Sequence, residues 1–166
     1  MKKIAVFLGL VIFLCGCSNS ANNVKPVLSG ITFTAKINFY NEQFLCEGAI
    51  SEQGALVLTV IEPDNISGMK FSVEETGITA EYKGLYYTPN SGTLPFGGVA
   101  SDIFTIITDA KRRMAPASKK NDGFCIESAK DEKYYKITIA QTGLPLSIEY
   151  PYHGLKVDFN NTTIKK

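Results

Sequence analysis

ITFTAKINFY, residues 31 to 40, alternates between apolar and polar side chains over its whole length. Successive side chains of a β-strand point to opposite faces, so a period of two places every second side chain on a common face. The apolar set is Ile31, Phe33, Ala35, Ile37 and Phe39. The stretch therefore predicts a strand that buries one face and exposes the other.

Short runs of the same kind follow, separated by Gly, Pro, Asn and Asp. Asn41 and Glu42 lie at the turn position after the first run, so the first two runs are predicted to form a hairpin. The further strands are predicted at residues 43–50, 55–63, 69–73, 78–83, 85–88, 123–128, 133–140, 145–150 and 155–159. About ten strands without a βαβ unit favour a curved antiparallel sheet.

Residues 97–113 break the pattern and predict one helix in the middle of the sheet. Their apolar side chains recur every three or four residues, which is the spacing of one helix face. The sequence ends this segment with Lys111, Arg112 and Arg113, which suit the negative end of the helix dipole, and Pro116 then stops the helix. The apolar positions are Val99, Ile103, Ile106, Ile107 and Ala110, with Phe104 beside them. The fold class is therefore mainly β (α+β).

The first residues have the order of a secretory signal. Lys2 and Lys3 precede an apolar run, residues 4–14, which is too short for a permanent span of a ~30 Å hydrocarbon core. A membrane span remains the alternative at this point. A Cys-x-Cys metal pair at Cys15 and Cys17 is a further alternative, although zinc requires four ligands.

Leu14-Cys15-Gly16-Cys17 resembles the lipobox of bacterial lipoproteins. The resemblance implies that residues 1–16 are a lipoprotein signal peptide and that Cys17 carries a diacylglycerol and becomes the new N-terminus. We therefore expect a protein anchored by lipid to the extracytoplasmic face of the cell membrane. Residues 17–30, small, polar and rich in Asn, are predicted to be a flexible tether.

The charge balance argues against a nucleic-acid partner. Removing Lys2 and Lys3 from the 17 basic residues leaves 15, against 16 acidic residues. A nearly neutral chain lacks the basic surface that binds phosphate backbones. Cys46 and Cys125 remain in this chain, and we expect either two buried free thiols or a disulfide between them.

Three stretches resemble LolA-like proteins, which are incomplete antiparallel barrels with a helix over the concave face. They are VIEPDNISGMKF (residues 60–71), EYKGLYYTPNSGTLP (residues 81–95) and TGLPLSIEYPYHGLKVDFNN (residues 142–161). The resemblance covers residues 31–163, and the last stretch is similar to small uncharacterised lipoproteins of Gram-positive bacteria. It implies a half-barrel domain whose apolar concave face holds acyl chains.

The expected ligand site is this concave groove, and the expected ligand is lipid-like. The residues predicted to line it are Ile37, Phe39, Leu58, Val60, Phe71, Ile103, Phe104 and Ile107. Gly92–Gly98 is predicted to be a hinge or lid entry because it is Gly-rich and precedes the helix. The alternative is an interaction scaffold that docks an envelope or spore-cortex enzyme or acts as a sensor subunit.

No constellation of residues predicts catalysis. His153 is the only histidine, it lies in a turn between Pro151 and Gly154, and no GxSxG elbow accompanies it. We interpret it as a solvated turn residue. The sequence therefore predicts a non-enzymatic protein without catalytic residues, metal or cofactor.

Overall fold

The sheet is built outward from its central strand, β1 (Ile31–Phe39). The structure, a computed structural model, describes residues 24–88, 95–113, 117–120, 123–128 and 134–165. The other strands are β2 (Glu42–Ile50), β3 (Leu56–Glu62), β4 (Lys70–Glu74), β5 (Gly77–Tyr82), β6 (Leu85–Tyr87), β7 (Ser118–Lys120), β8 (Gly123–Glu127), β9 (Lys136–Ile139), β10 (Pro145–Tyr150) and β11 (Leu155–Ile164). The helix α1 spans Pro95–Arg113.

All eleven strands belong to one antiparallel sheet in the order β6-β5-β4-β3-β2-β1-β11-β10-β9-β8-β7. The sheet is curved and open, because β6 and β7 end it on opposite sides without pairing. The predicted fold class, a mainly β incomplete barrel with one central helix, is confirmed. The strand count is eleven among the described residues, against the predicted ten or so.

The alternation of apolar and polar residues in β1 buries one face of the strand, as predicted. Ile31, Phe33, Ala35 and Ile37 are buried, while the alternate side chains are partly or fully exposed. Phe39 ends the strand half-buried. The buried side chains of the strands and the helix form one hydrophobic cluster, so the domain has a single core.

Two strands differ from the prediction because tertiary pairing extends or creates them. β7 has no apolar alternation and was not predicted; it forms because Ser118 pairs with Cys125 and Lys119 with Phe124 of β8. β11 continues beyond the predicted end at Phe159 because it stays paired with β1 as far as Ile31 and Ile164.

Helix α1 buries the predicted face, and it begins two residues before the predicted start at Gly97. It packs against β3, β4 and β5. Of the predicted hinge Gly92–Gly98, residues 92–94 lie outside the described residues, and Pro95–Gly98 belong to the helix. Pro116 also lies outside them.

Part of the predicted tether is docked on the domain. Val24 forms an isolated bridge with Ala117, the Val27 amide donates to the Gly143 carbonyl at 2.8 Å, and Leu28 is buried. Residues 1–23, with the predicted signal peptide and Cys17, lie outside the described residues. Over the residues that the structure covers, no helix has the length and apolar character needed to cross a membrane.

Candidate functional site: a cleft beside the helix

A cleft of about 570 Å³ lies beside α1. The helix forms one wall, the ends of β8, β9 and β10 form the other, and the β4–β5 turn contributes at one side. The lining residues are Glu75, Asp102, Phe104, Thr105, Ile106, Thr108, Asp109, Arg112, Arg113, Ser128, Tyr135 and Tyr150. Aromatic and aliphatic side chains therefore share this cleft with charged ones.

Helix α1 packs on β3, β4 and β5, which lie in one half of the sheet. Its buried side chains, such as Ile103 and Ile107, point into the common core. Its described packing against β3, β4 and β5 leaves a different helix face toward β8–β10. Phe104 lies on that face, half-buried and packed against the core at the same time.

At the C-terminal end of the helix, Asp109 joins both walls of the cleft. Its Oδ2 accepts a 2.7 Å hydrogen bond from the Tyr135 hydroxyl and lies 2.8 Å from the Arg113 Nε, one helical turn further on. Burial alone would raise the pKa of Asp109. The hydrogen bonds from Tyr135 and Arg113 and the charges of Arg113 and Arg112 outweigh burial and lower that pKa.

Tyr135 is held as a hydrogen-bond donor in this cluster. Burial raises the pKa of its phenol, and the hydrogen bond to Asp109 and the carboxylate charge raise it further. The phenol therefore stays protonated at neutral pH and donates to Asp109. The backbone amide of Tyr135 in turn donates to the Ser128 Oγ at 2.9 Å, which positions the segment before β9.

Asp102, nearer the start of the helix, is bound to the β10–β11 turn. Its Oδ2 lies 2.6 Å from the Nδ1 of His153. Burial raises the pKa of Asp102, while the hydrogen bond and charge of His153 offset part of that rise. The rings of Tyr150 and Tyr152 flank the imidazole, with centroids at 4.6 and 5.3 Å.

The structure places His153 in the β10–β11 turn, as interpreted, with its imidazole about two-fifths exposed, and adds a contact with α1 that the sequence did not predict. The imidazole is half-buried and links the turn to α1. Sequence reasoning missed this link because Asp102 and His153 are 51 positions apart and only the fold brings them together. The Asp109–Arg113 pair, by contrast, has the i,i+4 spacing that a sequence shows directly.

The eight residues predicted to line a groove have different locations in the structure. Phe104 lines the cleft, and Phe39 is half-buried at the edge of the core. The other six are buried in the core and have almost no exposed surface: Ile37, Leu58, Val60, Phe71, Ile103 and Ile107. A ligand role for the eight residues stays a prediction.

The two cysteines are free and buried in the structure. Cys46 lies in β2 and Cys125 in β8, and four strands separate β2 from β8 in the sheet. Burial raises the pKa of Cys46 to about 12, because the thiolate would lose its hydration. Within the described part of the chain, no cluster of three or more His, Cys, Asp or Glu residues could hold a metal ion.

Comparisons with known proteins give a weak structural similarity and no match to a family model or a curated protein. No family model matches the chain. No curated protein matches it. Among solved structures, the chain is similar to a LolA superfamily protein from Nitrosomonas europaea, with 8% sequence identity and a TM-score of 0.46. The alignment covers 88% of this chain and 90% of that chain. A likeness of this degree transfers no ligand or activity.

Proposed function

We propose that this protein is a membrane-anchored extracytoplasmic lipoprotein that binds a hydrophobic, lipid-like ligand without transforming it. The observation that carries the proposal is the cleft beside α1. Its volume of about 570 Å³ falls within the range of ~300–1,000 Å³ that is common for small-molecule sites. The anchor at Cys17 and the Gram-positive origin are parts of the proposal that come from the sequence.

The apolar part of the cleft supplies the attraction for such a ligand. Phe104, Ile106 and Tyr150 line it with aromatic and aliphatic surface. Each Å² of apolar surface that a ligand and these side chains remove from water contributes roughly 25 cal/mol. An alkyl chain in contact with them is stabilised by this non-directional force and needs no hydrogen-bond partner.

The first experiment fills the cleft. Thr105 is an exposed helix residue that lines it, so Thr105→Trp adds a large ring inside the volume. Thr79→Trp, at an exposed position of β5 outside the cleft, is the matched control. Binding of the neutral fluorophore N-phenyl-1-naphthylamine is expected to fall at least about tenfold in the first variant and to stay unchanged in the second. Equal binding by both variants and the wild type contradicts the proposed site.

A second experiment searches for the natural ligand. Delipidated protein is incubated with a native membrane extract, re-isolated and analysed by native mass spectrometry. A reproducible added mass that Thr105→Trp abolishes supports the proposal. Repeated recovery of the protein without any bound hydrophobe contradicts the ligand-binding function.

The anchor is tested separately. Full-length protein and Cys17→Ser are expressed in a Gram-positive host that is fed a palmitate analogue. We expect label and membrane association for the wild type and neither for the variant. A labelled Cys17→Ser protein would show that Cys17 is not the modified residue.

The edge of the sheet favours the alternative, an interaction scaffold. All three residues of β6 are exposed: Leu85, Tyr86 and Tyr87 are 76%, 71% and 53% accessible. The opposite edge, β7, carries the exposed Lys119, a residue type that discourages pairing with another strand. Cross-linking in intact cells tests this function: a stoichiometric envelope partner that Tyr86→Lys loses supports it, and its absence contradicts it.

A further inference from the structure

From the charges along the cleft, we infer that it selects an amphiphile with an anionic head group, which binds at the Arg112 end of α1. This inference rests on the proposed function and specifies the chemical class of its ligand. The shared chemistry is a single alkyl chain with a carboxylate or a phosphate at one end. The residues that distinguish the head group are at the C-terminal end of the helix.

The cleft has two chemically different ends. Along α1, Asp102 and Arg112 are ten residues apart, which is about 15 Å at a rise of ~1.5 Å per residue. Phe104 and Ile106 lie in the first half of this distance, and Arg112 and Arg113 lie at its end. An elongated ligand can therefore place an apolar chain at one end and a polar head at the other.

The two carboxylates on the helix are already bound by neighbours in the wall. Asp102 is 2.6 Å from His153 at the apolar end. Asp109 is 2.8 Å from Arg113 and accepts the Tyr135 hydroxyl. These donors already satisfy part of the hydrogen-bonding capacity of each carboxylate, which weakens its attraction for a cationic head group.

The remaining charge at the C-terminal end is positive. Arg112 and Arg113 contribute two positive charges and Asp109 one negative charge, and the helix terminus adds about −0.5. These described groups together carry a charge of about +0.5, and the Arg112 side chain is exposed on the cleft. Lys111 is not counted among these charges, because its Nζ lies at the β2–β3 turn. There it is 3.2 Å from the position that a Cβ added to Gly54 would occupy.

The geometry of a guanidinium suits the binding of an anionic head group. Its planar N–H groups match the two oxygens of a carboxylate or phosphate, and a charge-assisted pair of hydrogen bonds is stronger than a neutral one. Besides Asp102 and Asp109, the described lining residues include one further negative charge, Glu75, on the exposed β4–β5 turn. Glu75 and Arg112 belong to different elements, so the two charges can be removed independently.

The experiment compares three ligands with the same twelve-carbon chain. Dodecanoate, glycerol monolaurate and dodecyltrimethylammonium, all below their micellar concentrations, displace N-phenyl-1-naphthylamine from the wild type. Dodecanoate is expected to bind about tenfold more tightly than the neutral monolaurate, and this preference is expected to shrink in high salt. Dodecyl phosphate, run in parallel, separates a preference for phosphate from one for carboxylate.

The variants assign the preference to one side chain. Arg112→Gln is expected to bring the affinity for dodecanoate within about twofold of that for monolaurate, and Arg112→Lys to retain part of the preference. Glu75→Gln is the control and should keep the preference or increase it. Because Arg112 is exposed, its variants are expected to fold normally, and far-UV circular dichroism checks this.

Each outcome separates this inference from the proposed function. Equal binding of dodecanoate and monolaurate, or tighter binding of the trimethylammonium ligand, overturns the anionic selectivity and leaves the hydrophobic site intact. A preference that survives Arg112→Gln overturns the assignment to Arg112. Failure of the fluorophore and all the twelve-carbon ligands to bind overturns the proposed function itself.

Discussion

The Nδ1 of His153 lies 2.6 Å from the Oδ2 of Asp102, and this contact joins the β10–β11 turn to helix α1. The helix otherwise packs mainly on β3, β4 and β5, on the other half of the sheet. The contact therefore connects the helix to the strands that form the other wall of the cleft. It fixes the position of one cleft wall relative to the other.

Removing this contact is expected to loosen the helix locally. His153→Ala deletes the donor, and because the imidazole is about two-fifths exposed, the loss is about 1 kcal/mol. Amides of α1 near Asp102 should then exchange hydrogen roughly fivefold faster. Lys156→Ala, which breaks the exposed ion pair with Asp158 at 3.5 Å, is the control and should not change exchange in the helix. Unchanged exchange in His153→Ala contradicts this role.

Gly48 is required by the packing of Phe33. A Cβ at Gly48 would lie 2.3 Å from the Phe33 ring and 3.0 Å from a Leu58 methyl group. Gly48→Ala should therefore lower the free energy of unfolding by about 1–3 kcal/mol, measured by urea denaturation. Gly98→Ala in α1 meets no neighbour within 4 Å and should stabilise the protein by about 0.5–1 kcal/mol. Similar effects of both substitutions would be inconsistent with this packing.

Cys46 is expected to be unreactive in the folded protein. Its side chain is fully buried and its pKa is raised to about 12, so the thiolate is scarce at pH 8. Alkylation by iodoacetamide, followed by peptide mass spectrometry, should modify Cys46 at least about a hundredfold faster in 6 M guanidinium than in buffer. Because the folded-state pKa is raised, Cys46 also makes stability fall as the pH rises from about 9 toward 12. Fast native labelling would show that the thiol is accessible.

Asp109 should make the protein sensitive to acid. Its pKa is lowered in the folded state, so the stability that it contributes is complete above the unfolded pKa of about 4 and is lost as the pH falls through the folded value. Between pH 6 and pH 2, the free energy of unfolding of Asp109→Asn is therefore expected to fall by about 0.5–1 kcal/mol less than that of the wild type. The effect is small because the Asp109 side chain is about one-third exposed and that of Arg113 nearly half. Asp158→Asn is the surface control, and identical acid profiles for wild type and Asp109→Asn would exclude the effect.

The hydroxyl of Tyr135 is expected to stabilise the cleft. Tyr135→Phe removes its 2.7 Å hydrogen bond to Asp109 and should cost about 1–2 kcal/mol in urea denaturation. Tyr134→Phe changes the half-buried neighbour and should cost less than about 0.5 kcal/mol. Equal losses in the two variants would mean that the Asp109 contact contributes nothing specific.

The sequence by itself determined the secondary elements whose pattern is local. The alternation in residues 31–40 specified β1 and its buried face, and the helical spacing of Val99, Ile103 and Ala110 specified the packed face of α1. Both follow because the position of a side chain on a strand or helix depends only on the number of residues between neighbours. The curved antiparallel sheet with one central helix was predictable from the number of short strands and the absence of a βαβ unit.

Tertiary structure decided which elements meet and therefore where the site is. Pairing of β1 with β11 joins Ile31 to Ile164, and it extends β11 beyond the part of the sequence that has a strand pattern. The groove residues predicted from apolar character are mostly buried in the core, whereas the cleft combines Tyr135 with Asp109 from distant segments. Periodicity marks which face of an element is apolar, but it does not specify the partner that covers that face or the polar groups that come together beside it.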